Sequence, residues 1–386
     1  MKKPTQLYEI NTAVYLARLS GQIGRHATLA DMPEDFMVYL AERGIDSIWM
    51  MGVWQRSPMA ARMALESEVL IDECRDILPD FQTRDIIGSA YAIYDYRVDE
   101  RFGGENALRL LRAKLSAHGI ALILDFVPNH TALDHAWVTD HPTYYIQGTP
   151  RDMADRPEYF FSHGDQVIAN GRDPHYPAWR DTAQTNAFSA GYRAASIATL
   201  NTIATMCDGV RCDMAMLMMN DIFATTWDGR VAETPPTEYW HDVITATRHA
   251  RPDFIFIAEA YWQTELDLIK LGFDFCYDKT LYDLLVAGDM PGAERHIQHY
   301  DKHLDHFVYF IENHDEQRAA TMPLDRHKAA AQFIARLPGL TLWHDGQWQG
   351  ASRRIPVQLG RGADEADDPY IKQFYDQLLT VTPPKT

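Results

Sequence analysis

Four short segments of this sequence end in residues able to carry acid–base chemistry. The first runs Asp125, Phe126, Val127, Pro128, Asn129, His130; the second holds Arg211 and Asp213; the third ends in Glu259; the fourth reads Glu312, Asn313, His314, Asp315, Glu316. Each follows a short apolar run, the place where barrel enzymes keep their active sites. Singly, each is ordinary, because an Asp after a strand commonly caps a helix and an Arg or His there commonly serves as a structural partner. Jointly they bring the carboxylates Asp213, Glu259 and Asp315 together with His130, His314 and Arg211. Carboxyl groups held in different environments separate into acid and base. Arg211, two residues before Asp213 in a strand, points to the same side, where its fixed charge keeps that carboxylate ionised.

Such residues need a scaffold, and the chain alternates short β-branched or aromatic runs with longer amphipathic stretches, the pattern of βα units around a parallel sheet. Candidate strands fall at 11–17, 46–53, 120–127, 207–213, 254–259, 273–277, 306–311 and 339–343, with helical patterns at 105–118, 189–206, 238–250 and 369–381. About eight strands close a TIM (β/α)8 barrel, so the expected class is α/β. The long irregular interval after the third strand, rich in Pro, Asp, His, Tyr and Trp, reads as a small subdomain over 131–188, inserted into a barrel of 1–130 and 189–386. The irregular interval 54–100 should reach the same barrel mouth.

The composition, 46% hydrophobic and 23% charged over 386 residues, is that of a globular chain and excludes a disordered or fibrous one. The net charge of −18 repels phosphate backbones and anionic headgroups, so neither nucleic acid nor membrane is an expected partner. Cys74, Cys207, Cys212 and Cys276 form no CxxC pair and no zinc spacing, and read as reduced core thiols. Pro4, Thr5, Gln6 and Glu9 interrupt any apolar export segment, which gives a cytoplasmic expectation. No apolar run approaches the length of a membrane span.

The segments DFVPNH, GVRCDMAM, AEAYW and IENHDE, in this order, resemble the α-amylase superfamily, glycoside hydrolase family 13. YEINTAVYL and GIDSIWMMGVW look like its first two barrel strands, and GSAYAIYDYRVDERFGG like the segment before its third helix. The resemblance implies Asp213 as nucleophile, Glu259 as general acid/base and Asp315 as the carboxylate that orients the sugar. It implies His130 and His314 as hydrogen-bond donors to sugar hydroxyls, Asp125 as a buttress of Arg211, and Tyr91 as an aromatic platform. The chemistry implied is retaining hydrolysis of α-linked glucans or malto-oligosaccharides through a glycosyl-aspartate, with no cofactor required. A structural calcium ion at Asn129 is implied too, the alternative being that Asn129 caps a turn beside His130. Transglycosylation is the close rival, and a non-catalytic glucan- or protein-binding barrel a more distant one.

The pattern also departs from the family. Typical members carry Lys and His after the nucleophile, on the leaving-group side, where this chain has Met214, Ala215, Met216 and Leu217. Ala92 replaces the Asp that follows the platform tyrosine in exo-acting glucosidases. The usual C-terminal β-sandwich is not read in this sequence: either the sequence is a catalytic fragment, or its docking surface is covered another way, as by self-association, with Trp343 and Trp348 near that surface or the mouth. Trp348 as a sugar platform and Arg353 with Arg354 as an anion site are weaker candidates.

Overall fold

A computed structural model describes residues 3–381. Eight parallel strands close a barrel in sequential order. They are β1 (Gln6–Asn11), β2 (Ser47–Met51), β3 (Ala121–Phe126), β4 (Gly209–Cys212), β5 (Ile255–Ala258), β6 (Phe275–Tyr277), β7 (Phe307–Tyr309) and β8 (Leu340–His344). The α/β barrel expected from the alternating pattern is therefore present. Seven of the eight candidate strands overlap their barrel strands almost wholly.

The first does not. Residues expected as a strand over 11–17 form the start of a helix, Thr12–Ile23, whose N-cap is Asn11, with its side-chain oxygen accepting from the Val14 N–H. The true strand lies one step earlier and contains Gln6 and Glu9, polar residues that hide it from an apolar-run criterion. Glu9 is wholly buried.

The period of two along each strand explains why. On β3, Leu122 and Leu124 face the surrounding helices, while Ile123 packs in the barrel interior. Asp125, two residues on, shares that inner row. β4 repeats the arrangement with Gly209, Arg211 and Asp213, and β5 with Ile255, Ile257 and Glu259. Gly209 leaves the lower interior open to its neighbours, since a Cβ there would stand 2.6 Å from the Ile255 Cβ. Apolar side chains such as Leu7, Ile123, Phe275, Val308 and Leu342 fill the barrel's lower part. The polar residues come at the strand ends that form the mouth.

Two additions cover this mouth. Trp54–Arg56 pairs antiparallel with Ile93–Val98. A four-stranded antiparallel sheet runs in the order His130–Ala132, Trp179–Gln184, Gln166–Gly171, Phe160–His163. After β8 the described chain makes a 3-10 turn at Gln347–Gln349 and a helix, Pro369–Val381. That helix docks through the Tyr375 hydroxyl, which meets His327 and Gln347 at 2.8 Å each.

Several sequence expectations are corrected here. Trp348 is buried rather than presented to a sugar and packs on Tyr8, ring centroids 4.9 Å apart, and Trp343 is buried too, donating to Gln6 Oε1. Arg353 donates to the backbone oxygens of Asp76 and Ile77, and Arg354 pairs with Glu73 at 2.8 Å. These two arginines clamp the segment after β8 onto the helix Glu68–Ile77. All four cysteines are buried and unpaired, as read from sequence. Among the described residues no helix is long and apolar enough to cross a membrane.

Candidate active site

Arg211 is the centre of the mouth. Its guanidinium is fully buried, with Nη1 2.7 Å from Asp213 Oδ1 and Nη2 2.8 Å from Glu259 Oε2. The rings of Trp49, Tyr91 and Tyr277 surround it at 5.1, 5.3 and 5.7 Å. Burial alone would discharge this group, but the neighbouring carboxylates, Glu259 foremost, hold it charged. One cation thus spans the two carboxyls at the ends of adjacent strands.

Those carboxyls titrate as a linked pair. Burial raises both above the usual carboxylate range, and Arg211 opposes the rise. Repulsion from Asp213 and Asp315 adds to burial at Glu259, which is pushed up to about 7. Glu259 Oε2 also accepts from the Met214 N–H at 2.6 Å, and Oε1 from the Tyr261 hydroxyl at 2.7 Å. Crowding by the two other carboxylates contributes, but burial is the larger cause.

The backbone is strained beside both carboxyls. Among the described residues the non-glycine positions with positive φ are Met214, next to Asp213, and Trp262 and Gln263, just past Glu259. Such strain persists only where the surroundings enforce it, and it concentrates at functional sites. At Met214 the enforcing contact is the N–H held on Glu259. Met214→Gly is accordingly expected to be more stable than Met214→Ala by about 0.5–1 kcal/mol, since both lose the side chain and only glycine escapes the left-handed penalty. Urea denaturation of the two variants measures this, and equal stabilities would show that the turn is unstrained.

His314 forms the third part of the site. Its Nδ1 lies 2.5 Å from Glu9 Oε1, and its Nε2 meets Asp315 Oδ2 at 2.9 Å and the Tyr91 hydroxyl at 2.8 Å. Its ring stacks on Tyr91 and meets Trp49 edge-on. Burial disfavours the imidazolium, but Asp315 and Glu9 outweigh it and lift His314 to about 10. The same charge holds Asp315 well below the usual range against burial, although the Asp315 side chain is 46% exposed towards solvent. Glu9 was not among the residues picked out from sequence. Its signal was a carboxylate two places beyond inward-facing Leu7 in a strand, visible only once the strand is placed correctly.

Glu9→Gln removes one of the two charges on His314. The His314 ring-proton titration, assigned by its loss in His314→Gln, is expected to move down by roughly 1–3 pH units. An unchanged midpoint would leave Asp315 as the sole cause of the imidazolium.

The remaining candidates divide. His130 is buried against Trp179, ring centroids 5.1 Å apart, and burial lowers it to about 4, so it is neutral near pH 7. Asp125 is buried and rises to about 6; its carboxylate accepts from Trp49 Nε1 at 3.1 Å and the Gly52 N–H at 2.7 Å. It therefore ties β3 to β2, and acts on Arg211 through its charge rather than as a hydrogen-bonded buttress. Tyr91 joins the His314 cluster through its hydroxyl. A cavity of about 820 Å³ opens on the far side of His314, between Asn11, Arg18, Arg318 and His344.

The alpha-amylase catalytic-domain model matches residues 34–229. The chain belongs to the alpha-amylase family. An alpha-amylase from Lactobacillus plantarum superposes with a TM-score of 0.66 at 18% identity, covering 97% of this chain and 80% of that one. The cyclic alpha-maltosyl-(1→6)-maltose hydrolase of Arthrobacter globiformis, in complex with maltose, gives 0.68 at 14% identity, covering 97% and 82%. The Geobacillus thermoleovorans alpha-amylase complexed with acarbose gives 0.65 at 17%, covering 98% and 78%. Comparison with curated proteins returns no significant match.

Asn129, where the alpha-amylase resemblance implied a calcium ion, is engaged within the protein. Asn129 is buried, with Oδ1 accepting from Gln184 Nε2 at 3.0 Å and its backbone oxygen accepting from Gln184 and Thr185. Asp173 Oδ1 is taken by the N–H groups of His175 and Tyr176. Among the described residues no group of three or more His, Cys, Asp or Glu side chains could hold a metal ion. Asn129 here stitches the inserted sheet to the end of β3.

Proposed function

We propose that this alpha-amylase family member is a retaining α-glycoside hydrolase that cleaves α-linked glucans or malto-oligosaccharides through a glycosyl-Asp213 intermediate. The observation that carries the reading is the pair of buried carboxyls on adjacent strands, bridged by Arg211, with Glu259 protonated to higher pH than an ordinary carboxyl. Glycoside cleavage with retention needs one carboxylate and one carboxylic acid across the anomeric carbon. Asp213 attacks that carbon as its bond to the leaving oxygen breaks, and the Glu259 proton passes to the departing oxygen. Glu259, now a carboxylate, takes a proton from water; the water oxygen displaces Asp213, and two inversions return the α-anomer. His314, as an imidazolium, donates to sugar hydroxyls and Asp315, as a carboxylate, accepts from them, while neutral His130 donates from one ring nitrogen only. The acarbose and maltose complexes of the structural neighbours support an α-glucan as substrate.

The reaction so drawn uses side chains alone and needs no cofactor. Reduced, buried thiols are consistent with a cytoplasmic protein. Transglycosylation remains the second reading, favoured by the loss of polar leaving-side groups after Asp213.

Chromatography of maltoheptaose digests, with and without excess glucose, tests the proposal. Shorter α-anomeric products indifferent to glucose are expected. Longer or glucose-dependent products would make the enzyme a transferase, and a β-anomer would exclude the covalent route. Absence of any product, with Asp213→Asn unchanged in every assay, would favour a binding barrel.

A further inference from the structure

The departing sugar must rest against something, and the segment that follows Asp213 does not offer it. Ala215, Met216, Leu217 and Met218 turn inward and are buried. The wall after β5 differs. Trp262, three residues past Glu259, keeps 39% of its surface exposed, and its backbone is left-handed, as is that of Gln263. Two consecutive non-glycine residues in that region are costly, and such strain persists for what the turn presents. It presents an indole.

The inserted sheet reaches the same place. The connection between its strands Gln166–Gly171 and Trp179–Gln184 carries His175, whose ring meets Trp262 at 4.8 Å and 82°. Next to it Tyr176 is 70% exposed. Buried Asp173 fixes this turn by accepting from the N–H groups of His175 and Tyr176 at 2.6 and 2.9 Å. At the other end of the connection Trp179 lies on His130. The connection thus crosses the mouth from the end of β3 to the loop after β5, beside the general acid. Tyr261 joins the two, its hydroxyl on Glu259 and its backbone neighbouring Trp262.

We propose that Trp262, its tilt set by His175, is the platform for the sugar on the leaving side of the scissile bond, with Tyr176 extending it to the next residue of the chain. The ligand class is a neutral pyranose, whose apolar C–H face stacks on an aromatic ring. In this chain an aromatic bridge between the barrel and the inserted sheet does the work that polar residues after the nucleophile would otherwise do. A sugar acceptor would enter through the same place, so the platform also sets how sugar competes with water for the glycosyl group. This inference rests on the retaining-glycosidase reading.

The test compares two substrates that differ only in what leaves. Maltoheptaose needs the platform, whereas α-maltosyl fluoride, with fluoride departing, does not. Trp262→Ala is expected to lose roughly 10- to 100-fold in kcat/KM on maltoheptaose and to keep α-maltosyl fluoride turnover within about twofold. Trp262→Phe, which retains a ring, should recover most of the maltoheptaose activity. Equal loss on both substrates would place the effect in Glu259 or the fold and overturn the platform, as would no loss on either. A wild-type enzyme inert to both substrates would overturn the retaining-glycosidase reading and this inference with it.

Discussion

Asp213→Asn is expected to lower kcat/KM on maltoheptaose by about 10⁴-fold or more, because the amide cannot form the glycosyl ester. The fold should survive, since asparagine keeps an oxygen that can accept from Arg211 Nη1, now 2.7 Å from Asp213 Oδ1. Maltoheptaose binding, read by calorimetry, should be retained. The variant has a further signature: loss of one negative charge removes a repulsion that raises Glu259. Whatever activity remains should then lose its acid form at lower pH than the wild type. Turnover equal to wild type would remove Asp213 from the mechanism altogether.

Glu259→Gln is expected to cost about 10²–10⁴-fold on maltoheptaose, the usual range for deleting a general acid. The sign of the pH effect follows from the raised value. In the wild type, kcat/KM should fall as pH rises through about 7, where Glu259 gives up the proton that the leaving oxygen needs. It should fall again at low pH as Asp213 is protonated. Glutamine does not titrate, so the variant should lose the alkaline limb and keep the acidic one. On α-maltosyl fluoride, glycosylation needs no acid but the second step still needs a base. A burst of fluoride followed by slow turnover is therefore expected, and an alkaline limb persisting in the variant would point to another acid.

How much of this was legible in the sequence depended on where a polar residue fell relative to the strand rhythm. Asp125, Arg211, Asp213 and Glu259 stand at or just past the ends of apolar runs, so the runs located the strands and the strands located the site. Glu9 stands inside its strand, and the same criterion moved the strand into the Thr12–Ile23 helix and lost the residue that holds His314. Trp348 and Arg353 failed for a different reason. Exposure of a residue in a loop is decided by what packs on it, here Tyr8 and the carbonyls of Asp76 and Ile77, and local sequence carries no record of so distant a partner. Trp262 was legible as a residue but not as a surface, because its backbone conformation and its contact with His175 arise only when the inserted sheet closes over the mouth.

The ring of charges at the mouth has a pharmacological consequence. Glu9, Asp125, Asp213, Glu259 and Asp315 gather around Arg211 and His314, so acid groups outnumber the basic ones at the centre of the site. Such a field favours an inhibitor with a basic ring nitrogen, which mimics the positive charge of the oxocarbenium-like transition state. It disfavours phosphorylated sugars of the same size, giving the pocket a selectivity by charge that shape alone would not supply.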